Sequence, residues 1–380
     1  MPDVRRTFHL ERLLGRGGFG EVWLARMASP SGLEVPVAVK LLTSDLTLDA
    51  GALARLRDEA SLLARLDHPA ILHVVDRVRL AGRTGLVTEY VDGLDLSTCL
   101  RRRPALPLPC VLAVLAQVAS ALEAAWNAEG DAGPLRLVHR DVKPANIRIG
   151  RHGQVKLLDF GIARFEGALR EAWTSSDEMV GSLPYVAPEC FSDAQTTGAC
   201  DVWSLGATLY EAVRGERFHR RTDARALGSI ALDPVLFDAH LTNALAAESV
   251  GAIRDLLQAM LAWDPARRPS AGEVADRLES RLAAFPPAPI RHWMADQPAA
   301  PPPRDPGSLA GVTHVEEIYG PTTTEPVHHA LRDLTPPPAP PPARQGSWIP
   351  WVGAIAVTAF LLLGATALGL AAAVGWWAGS

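Results

Sequence analysis

Between Leu137 and Gly161 the chain reads LVHRDVKPANIRIGRHGQVKLLDFG, and the remainder has to be arranged around this stretch. Pro144 keeps the segment from becoming a helix, so Asp141, Lys143 and Asn146 share a loop. The His152-Gly153 turn predicts a hairpin between two short strands. Such a hairpin returns Asp159 to the side of Asn146. Two oxygen-bearing side chains then stand together for a divalent cation, and Asp141 is left to orient a hydroxyl.

With 380 residues, 48% of them hydrophobic, the chain has enough apolar surface for one large two-lobed unit or two ordinary domains. A formal charge of -5 offers no general electrostatic case for nucleic acid as a partner. Cys99, Cys110, Cys190 and Cys200 show neither CxxC pairing nor histidines at metal-ligand spacing, and they are read as buried thiols in a reducing compartment. MPDVRRTFHLERLLGRGG lacks the apolar run of a secretory signal, so the expectation is a cytoplasmic catalytic part.

HRDVKPAN followed by DFG resembles the catalytic loop and metal-binding motif of the protein kinase family. Either motif alone is an ordinary loop or turn; in this order and at this spacing the two are specific. The resemblance implies an α+β, two-lobed kinase fold over residues 8–285, with a small β-rich lobe and a large helical lobe. It implies that Asp141 orients the acceptor hydroxyl, Lys143 steadies the transferring phosphoryl group, and Asn146 with Asp159 holds Mg²⁺ or Mn²⁺.

Residues Phe8 to Lys40 read as three strands with glycines in the turn between the first two, and GRGGFGEV resembles the family's phosphate-covering loop. Apolar positions at Leu53, Leu56, Ala60, Leu63 and Leu66 predict a helix carrying Glu59, which by resemblance pairs with Lys40. LVTEYVDG resembles the hinge between the lobes, with Thr88 at the back of the adenine pocket. The implied ATP contacts are Gly15, Arg16, Gly17, Gly18, Phe19, Gly20, Val22, Ala38, Lys40, Glu59, Glu89 and Val91. Leu108 to Ala128, charged only at Glu123, reads as a buried helix at the centre of the larger lobe.

Past Gly161, the hydroxyls Thr174, Ser175, Ser176 and Ser182 precede Ala187-Pro188-Glu189, resembling an activation segment. Arg140, beside Asp141, is the residue that by resemblance anchors a phosphate placed there, and Ser182 is expected to align Asp141 and Lys143. Asp201, in DVWSLG, would brace the catalytic loop, and Arg268, in WDPARRPS, would pair with Glu189.

Residues 286–347 shift to proline, alanine, threonine and histidine without periodicity and are read as a disordered linker. Residues 348–377 are apolar, with tryptophans near both ends; Val352 to Gly375 as a helix is about 36 Å long, against a hydrocarbon core of about 30 Å. One transmembrane helix follows from this, with the kinase part facing the cytoplasm on the side of Arg332 and Arg344, and Ala378 to Ser380 across the membrane. Ala365 and Gly369 form a small-xxx-small pair through which a homodimer would associate.

The activity this implies is transfer of the γ-phosphoryl group of ATP to Ser and Thr of protein substrates and of the chain itself, from a membrane anchor. Lys143, two residues after Asp141, is the wording that resembles Ser/Thr rather than Tyr kinases. A small-molecule phosphotransferase shares the aspartate and metal logic but not APE with Arg268. A silent kinase-like scaffold requires a key position to be lost, and Lys40, Glu59, Asp141, Asn146 and Asp159 all stand.

Overall fold

A computed structural model describes residues 5–17, 20–43, 63, 65–130, 133–160, 181–191, 196–219, 228, 231, 233–298 and 307–316. Strands β1 (Thr7–Gly17), β2 (Gly20–Ala28), β3 (Glu34–Leu42), β4 (Val74–Leu80) and β5 (Arg83–Glu89) build an antiparallel sheet in the order β1-β2-β3-β5-β4. Alternation along β3 explains what each face does. Val37, Val39 and Leu41 join Phe8, Trp23 and Val87 in one apolar cluster, whereas Ala38 and Lys40 turn to the opposite face and line a cleft. Val22 and Thr88, cross-strand partners of Lys40 and Ala38, line that cleft as well.

The large lobe opens with β6 (Gly93–Asp95) and α1 (Leu96–Arg101), which Asp95 caps by accepting the Thr98 N–H at 2.8 Å. Helix α2 (Leu108–Asn127) is long and apolar enough to cross a bilayer, but 11 of its 20 residues, among them Val111, Leu115, Val118 and Leu122, are buried in the lobe's core. After β7 (Glu129–Gly130) and β8 (Gly133–Pro134), the expected hairpin is present as β9 (Ile147–Gly150) and β10 (Val155–Leu157), which pair antiparallel, with β9 also bound to β6. HPAI fastens this hairpin to the chain before β4: the Leu157 N–H donates to Ala70 O at 2.7 Å and the Leu72 N–H to Leu157 O at 3.2 Å.

Helix α3 (Gly198–Arg214) is buried without a break from Cys200 to Tyr210 and ends on Gly215. Helices α4 (Pro234–Leu245), α5 (Arg254–Met260) and α6 (Ala271–Leu282) complete the core, and α6 starts with a Ser270/Glu273 capping box. All four cysteines are free thiols, three of them buried.

Two segments correct the expectation of a structureless linker from residue 286. Residues Ile290–Ala295 form α7, whose Ile290, Trp293 and Met294 join the large-lobe core, and Val312–Val315 form β11, paired antiparallel with β1 from Thr7↔Val315 to Leu10↔Val312. Six residues are too few to hold a helix by propensity, so burial holds α7. A proline-weighted composition conceals such short apolar islands. Leu309 and Ala310 pack on the small-lobe cluster, and a Cβ on Gly307, where φ is +81°, would lie 2.2 Å from Trp23 Cη2. Arg6 joins Glu316 at 2.8 Å and Asp76 at 2.6 Å through partly exposed side chains. Gly307→Val is therefore expected to cost about 1–3 kcal/mol, and Arg6→Ala less than about 1 kcal/mol. Thermal unfolding of the full chain checks the ranking; a neutral Gly307→Val would mean that this segment does not dock on Trp23.

Candidate active site

The cleft below the small-lobe sheet is a cavity of about 420 Å³ lined from above by Gly15, Val22, Ala38 and Lys40, along the back by Leu86 and Thr88, along the hinge by Glu89, Tyr90 and Val91, and from below by Ala145, Arg148, Leu158 and Asp159. Glu89 is fixed through its backbone to His73, its N–H donating to His73 O at 3.0 Å, and the Thr88 hydroxyl donates to Glu89 O at 3.2 Å. Of the expected nucleotide contacts, Gly15, Val22, Ala38, Lys40, Glu89 and Val91 thus border one cavity, whereas Arg16, Gly17 and Gly20 continue the β1–β2 pairing beyond Gly15 and Val22 and are not among its lining residues. Gly18, Phe19 and Glu59 lie outside the described residues.

The catalytic-loop residues are held from three directions. From α3, Asp201, 3% exposed, accepts the His139 N–H at 2.6 Å and the Arg140 N–H at 2.8 Å. That grip keeps Arg140 at φ 65°, a left-handed conformation that a residue with a side chain adopts at a cost. Burial pushes the Asp201 carboxyl up to about 7, against the pull of those two N–H donors. From the hairpin side, the His139 ring accepts the Asp141 N–H on Nδ1 at 3.2 Å, so its ring proton sits on Nε2 and donates to Leu158 O at 2.8 Å. Phe160 packs 4.6 Å from the same ring. From the segment before APE, the Ser182 hydroxyl, 1% exposed, takes a hydrogen bond from Lys143 Nζ at 2.8 Å, and Lys143 Nζ also donates to Asp141 Oδ2 at 2.9 Å. The expected alignment of Asp141 and Lys143 by Ser182 is present as this bridge.

Asn146 Nδ2 donates to both Asp141 O and Asp141 Oδ2 at 2.9 Å, which turns the amide oxygen away from Asp141. The Leu158 N–H donates to Asn146 O at 2.8 Å, so Asp159 begins one residue from Asn146's backbone. Lys40 Nζ meets Asp159 Oδ1 at 2.7 Å, although 119 residues separate the two. Burial by itself would raise the Asp159 carboxyl, but the charge and hydrogen bond of Lys40, with Lys143 behind it, hold it below the usual carboxylate range. A carboxylate and an amide oxygen are hard donors of the kind that suits Mg²⁺ or Mn²⁺, and the Leu158–Asn146 backbone bond brings the two residues' chain segments together.

Far from the cleft, the expected pair of Glu189 and Arg268 forms a fork: Nη1 to Oε1 at 2.6 Å and Nη2 to Oε2 at 2.8 Å. Arg268 has no side-chain exposure and spends its other donors on the carbonyls of Ala199, Ala262 and Trp263. Thr174, Ser175 and Ser176, and the apolar stretch 348–377, lie outside the described residues.

Several cleft residues escaped the motif reading. Arg12, whose Nη2 donates to Tyr90 Oη at 3.1 Å, and Arg148, whose Nε donates to Val91 O at 3.1 Å, flank the hinge, with Asp92 and Asp95 nearby. Strand alternation from Val22 and Ala38 would have pointed to Leu86. Nothing local marks Arg148, because its place depends on β9 lying beside β6.

The sequence matches the protein kinase domain family over residues 8–278. It is 36% identical over 280 residues to "Tyrosine-protein kinase MasK" of Myxococcus xanthus, which covers 72% of this chain and 43% of that protein. It is 38% identical over 222 residues to "Serine/threonine-protein kinase PknH" of Mycobacterium tuberculosis, covering 58% of this chain and 34% of that protein. The chain therefore spans less than half the length of these curated relatives. Among solved structures, the PknI kinase domain of Mycobacterium tuberculosis is similar with a TM-score of 0.51 at 29% identity, covering 72% of this chain and 95% of that one.

Proposed function

The chain belongs to the protein kinase family, in its bacterial Ser/Thr branch, and from that premise we propose that it transfers the γ-phosphoryl group of ATP to Ser and Thr hydroxyls of proteins, its own included, from a membrane anchor. The observation that carries the proposal is the bridge from Ser182 through Lys143 to Asp141, in a chain that also pairs Lys40 with Asp159 at the edge of the cleft. Asp141 orients the acceptor hydroxyl and takes up its proton, while Lys143 balances charge that develops on the transferring group. Lys40 draws the nucleotide phosphates towards Asp159, and the backbone of Glu89 and Val91 meets adenine. Asn146 and Asp159 would hold Mg²⁺ or Mn²⁺, which when bound neutralises phosphate charge. Catalysis is then mainly positioning and preorganised electrostatics.

The anchor is residues 348–377, supported by an apolar run without a charge. The regulatory step is phosphorylation at Thr174, Ser175 or Ser176, supported by Arg140 beside Asp141, where a phosphate would find a guanidinium partner.

The test incubates the purified full chain with labelled ATP, Mg²⁺ and peptides offering Ser, Thr or Tyr. Label on Ser and Thr is expected, together with label on residues 174–176 of the chain. Label on Tyr alone would overturn the acceptor assignment, and no transfer would overturn the kinase reading. Cell fractionation completes it: the full chain is expected in the membrane and a chain ending at Gln345 in the soluble fraction, and a soluble full chain would refute the anchor.

A further inference from the structure

The strands on either side of the glycine-rich segment carry an ion network that the catalytic reading does not use. Arg16 and Glu21 are directly opposed across β1 and β2, with Arg16 Nε donating to Glu21 Oε1 at 3.0 Å. The second oxygen, Oε2, accepts from Arg83 Nη1 at 2.8 Å, and Arg83 reaches this position from the first residue of β5. Arg83 spends its remaining donors on the end of β3: Nε on Leu42 O at 2.7 Å and Nη2 on Leu41 O at 3.1 Å. Leu41 immediately follows Lys40. Only 12% of the Glu21 side chain and 21% of the Arg83 side chain are exposed, against 52% for Arg16.

Gly20 makes the same junction tight. Its φ is +148°, and a Cβ there would lie 2.0 Å from Leu41 O, so β2 leaves the glycine-rich segment pressed against the strand that carries Lys40. Close backbone approach sets the spacing of β2 and β3 at this point, but it does not set the tilt of the glycine-rich segment above them. A planar guanidinium with three fixed acceptors on two different strands does.

We propose that Glu21 and Arg83 are positioning residues for the nucleoside triphosphate, a strut that fixes the glycine-rich segment's backbone amides relative to Lys40. The strut touches neither the nucleotide nor the acceptor. Two amide-bearing strands and the lysine have to converge on the same phosphates, and Arg83 hydrogen-bonds both to the residue after Gly20 and to the residue after Lys40. Glu21 is the half-buried link between them. Its carboxyl, which burial would raise, is held below the usual range by Arg83 and Arg16, so it stays charged. Arg16, the more exposed cation, adds less. The inference rests on the kinase reading, because it assigns phosphates to the glycine-rich segment.

Glu21→Gln, Arg83→Gln, the double variant and Arg16→Gln, all in the full chain, test it. Each of the first two is expected to raise the ATP KM, and the Kd for Mg²⁺-ATP measured by calorimetry, about fivefold, the worth of one ordinary hydrogen bond. The acceptor-peptide KM and kcat at saturating ATP should stay within about twofold, and the double variant should be no worse than either single, because the strut acts as one unit. Arg83→Lys should recover part of the ATP affinity. A purely structural role would instead lower the melting temperature with the ATP KM unchanged, and that result, or additive losses in the double variant, would overturn the proposal. Should Arg83→Gln fail to fold, the isosteric Glu21→Gln carries the test alone. If the unmodified chain transfers no phosphate, the kinase reading fails, while the calorimetric Kd still reports on the strut.

Discussion

Replacing Asp141 with Asn is expected to lower turnover by a factor of about 10²–10⁴ while ATP binds with nearly unchanged affinity. An asparagine keeps an oxygen for Lys143 Nζ and Asn146 Nδ2, both of which donate to Asp141 Oδ2 at 2.9 Å, so the loop remains assembled. What it loses is the capacity to take up the acceptor's proton. Asp141 does not line the cavity bordered by Lys40, Ala38, Val91 and Asp159, so nucleotide affinity has no direct reason to change. Lys40→Met should show the reverse emphasis, with weakened binding of the phosphates. Initial rates and calorimetric ATP affinity on one preparation separate the two. Retention of more than about a tenth of the turnover, far above what losing a proton acceptor allows, would remove Asp141 from the role given to it.

The second large effect is on stability. Arg268→Leu is expected to cost about 3–5 kcal/mol, because it leaves the Glu189 carboxylate buried without its cation. The cost should exceed that of an ordinary surface pair for reasons visible at the site. Arg268 is fully buried, Glu189 is 9% exposed, and the guanidinium also satisfies the carbonyls of Ala199, Ala262 and Trp263. Arg268→Lys keeps the charge but cannot reach all of these acceptors, so an intermediate loss is expected. Replacing both residues, Glu189→Gln with Arg268→Leu, should cost less than the sum of the single changes. Denaturant unfolding of the four variants gives the cycle. Additive losses would mean that the pair is not coupled, and a loss under about 1 kcal/mol for Arg268→Leu would mean that it behaves as an exposed pair. Activity should fall alongside, since Glu189 borders the turn that follows Ser182, and Ala199 precedes the Asp201 brace by two residues.

Much of the site could be read from the chain because its chemistry is written in short contiguous runs. Asp141, Lys143 and Asn146 fall within six residues, and a loop enforced by Pro144 keeps them together whatever surrounds it. Alternation in VPVAVK assigns Ala38 and Lys40 to one face and Val37 and Val39 to the other, because a strand has no other way to place neighbouring side chains. The hairpin from Ile147 to Leu157 follows from its own turn, and with it the return of Asp159 towards Asn146. Ser182 and the Glu189–Arg268 pair came through the family resemblance, since nothing local joins residues 79 positions apart.

Assembly decided the rest. The pairing of Lys40 with Asp159 needs both lobes in place, and Arg83 becomes a strut only once β5 lies beside β3 and brings it under Leu41 and Leu42. Residues 290–298 and 307–316 are the clearest case. They are short apolar islands within a proline-rich stretch, and neither α7 nor β11 is long enough to be stable alone. Each exists because a surface already built elsewhere accepts it: the large-lobe core takes Ile290, Trp293 and Met294, and the free edge of β1, more than 300 residues earlier, takes Val312–Val315. Local sequence reports what a segment can do unaided, and the free energy that orders these two comes almost entirely from their partners.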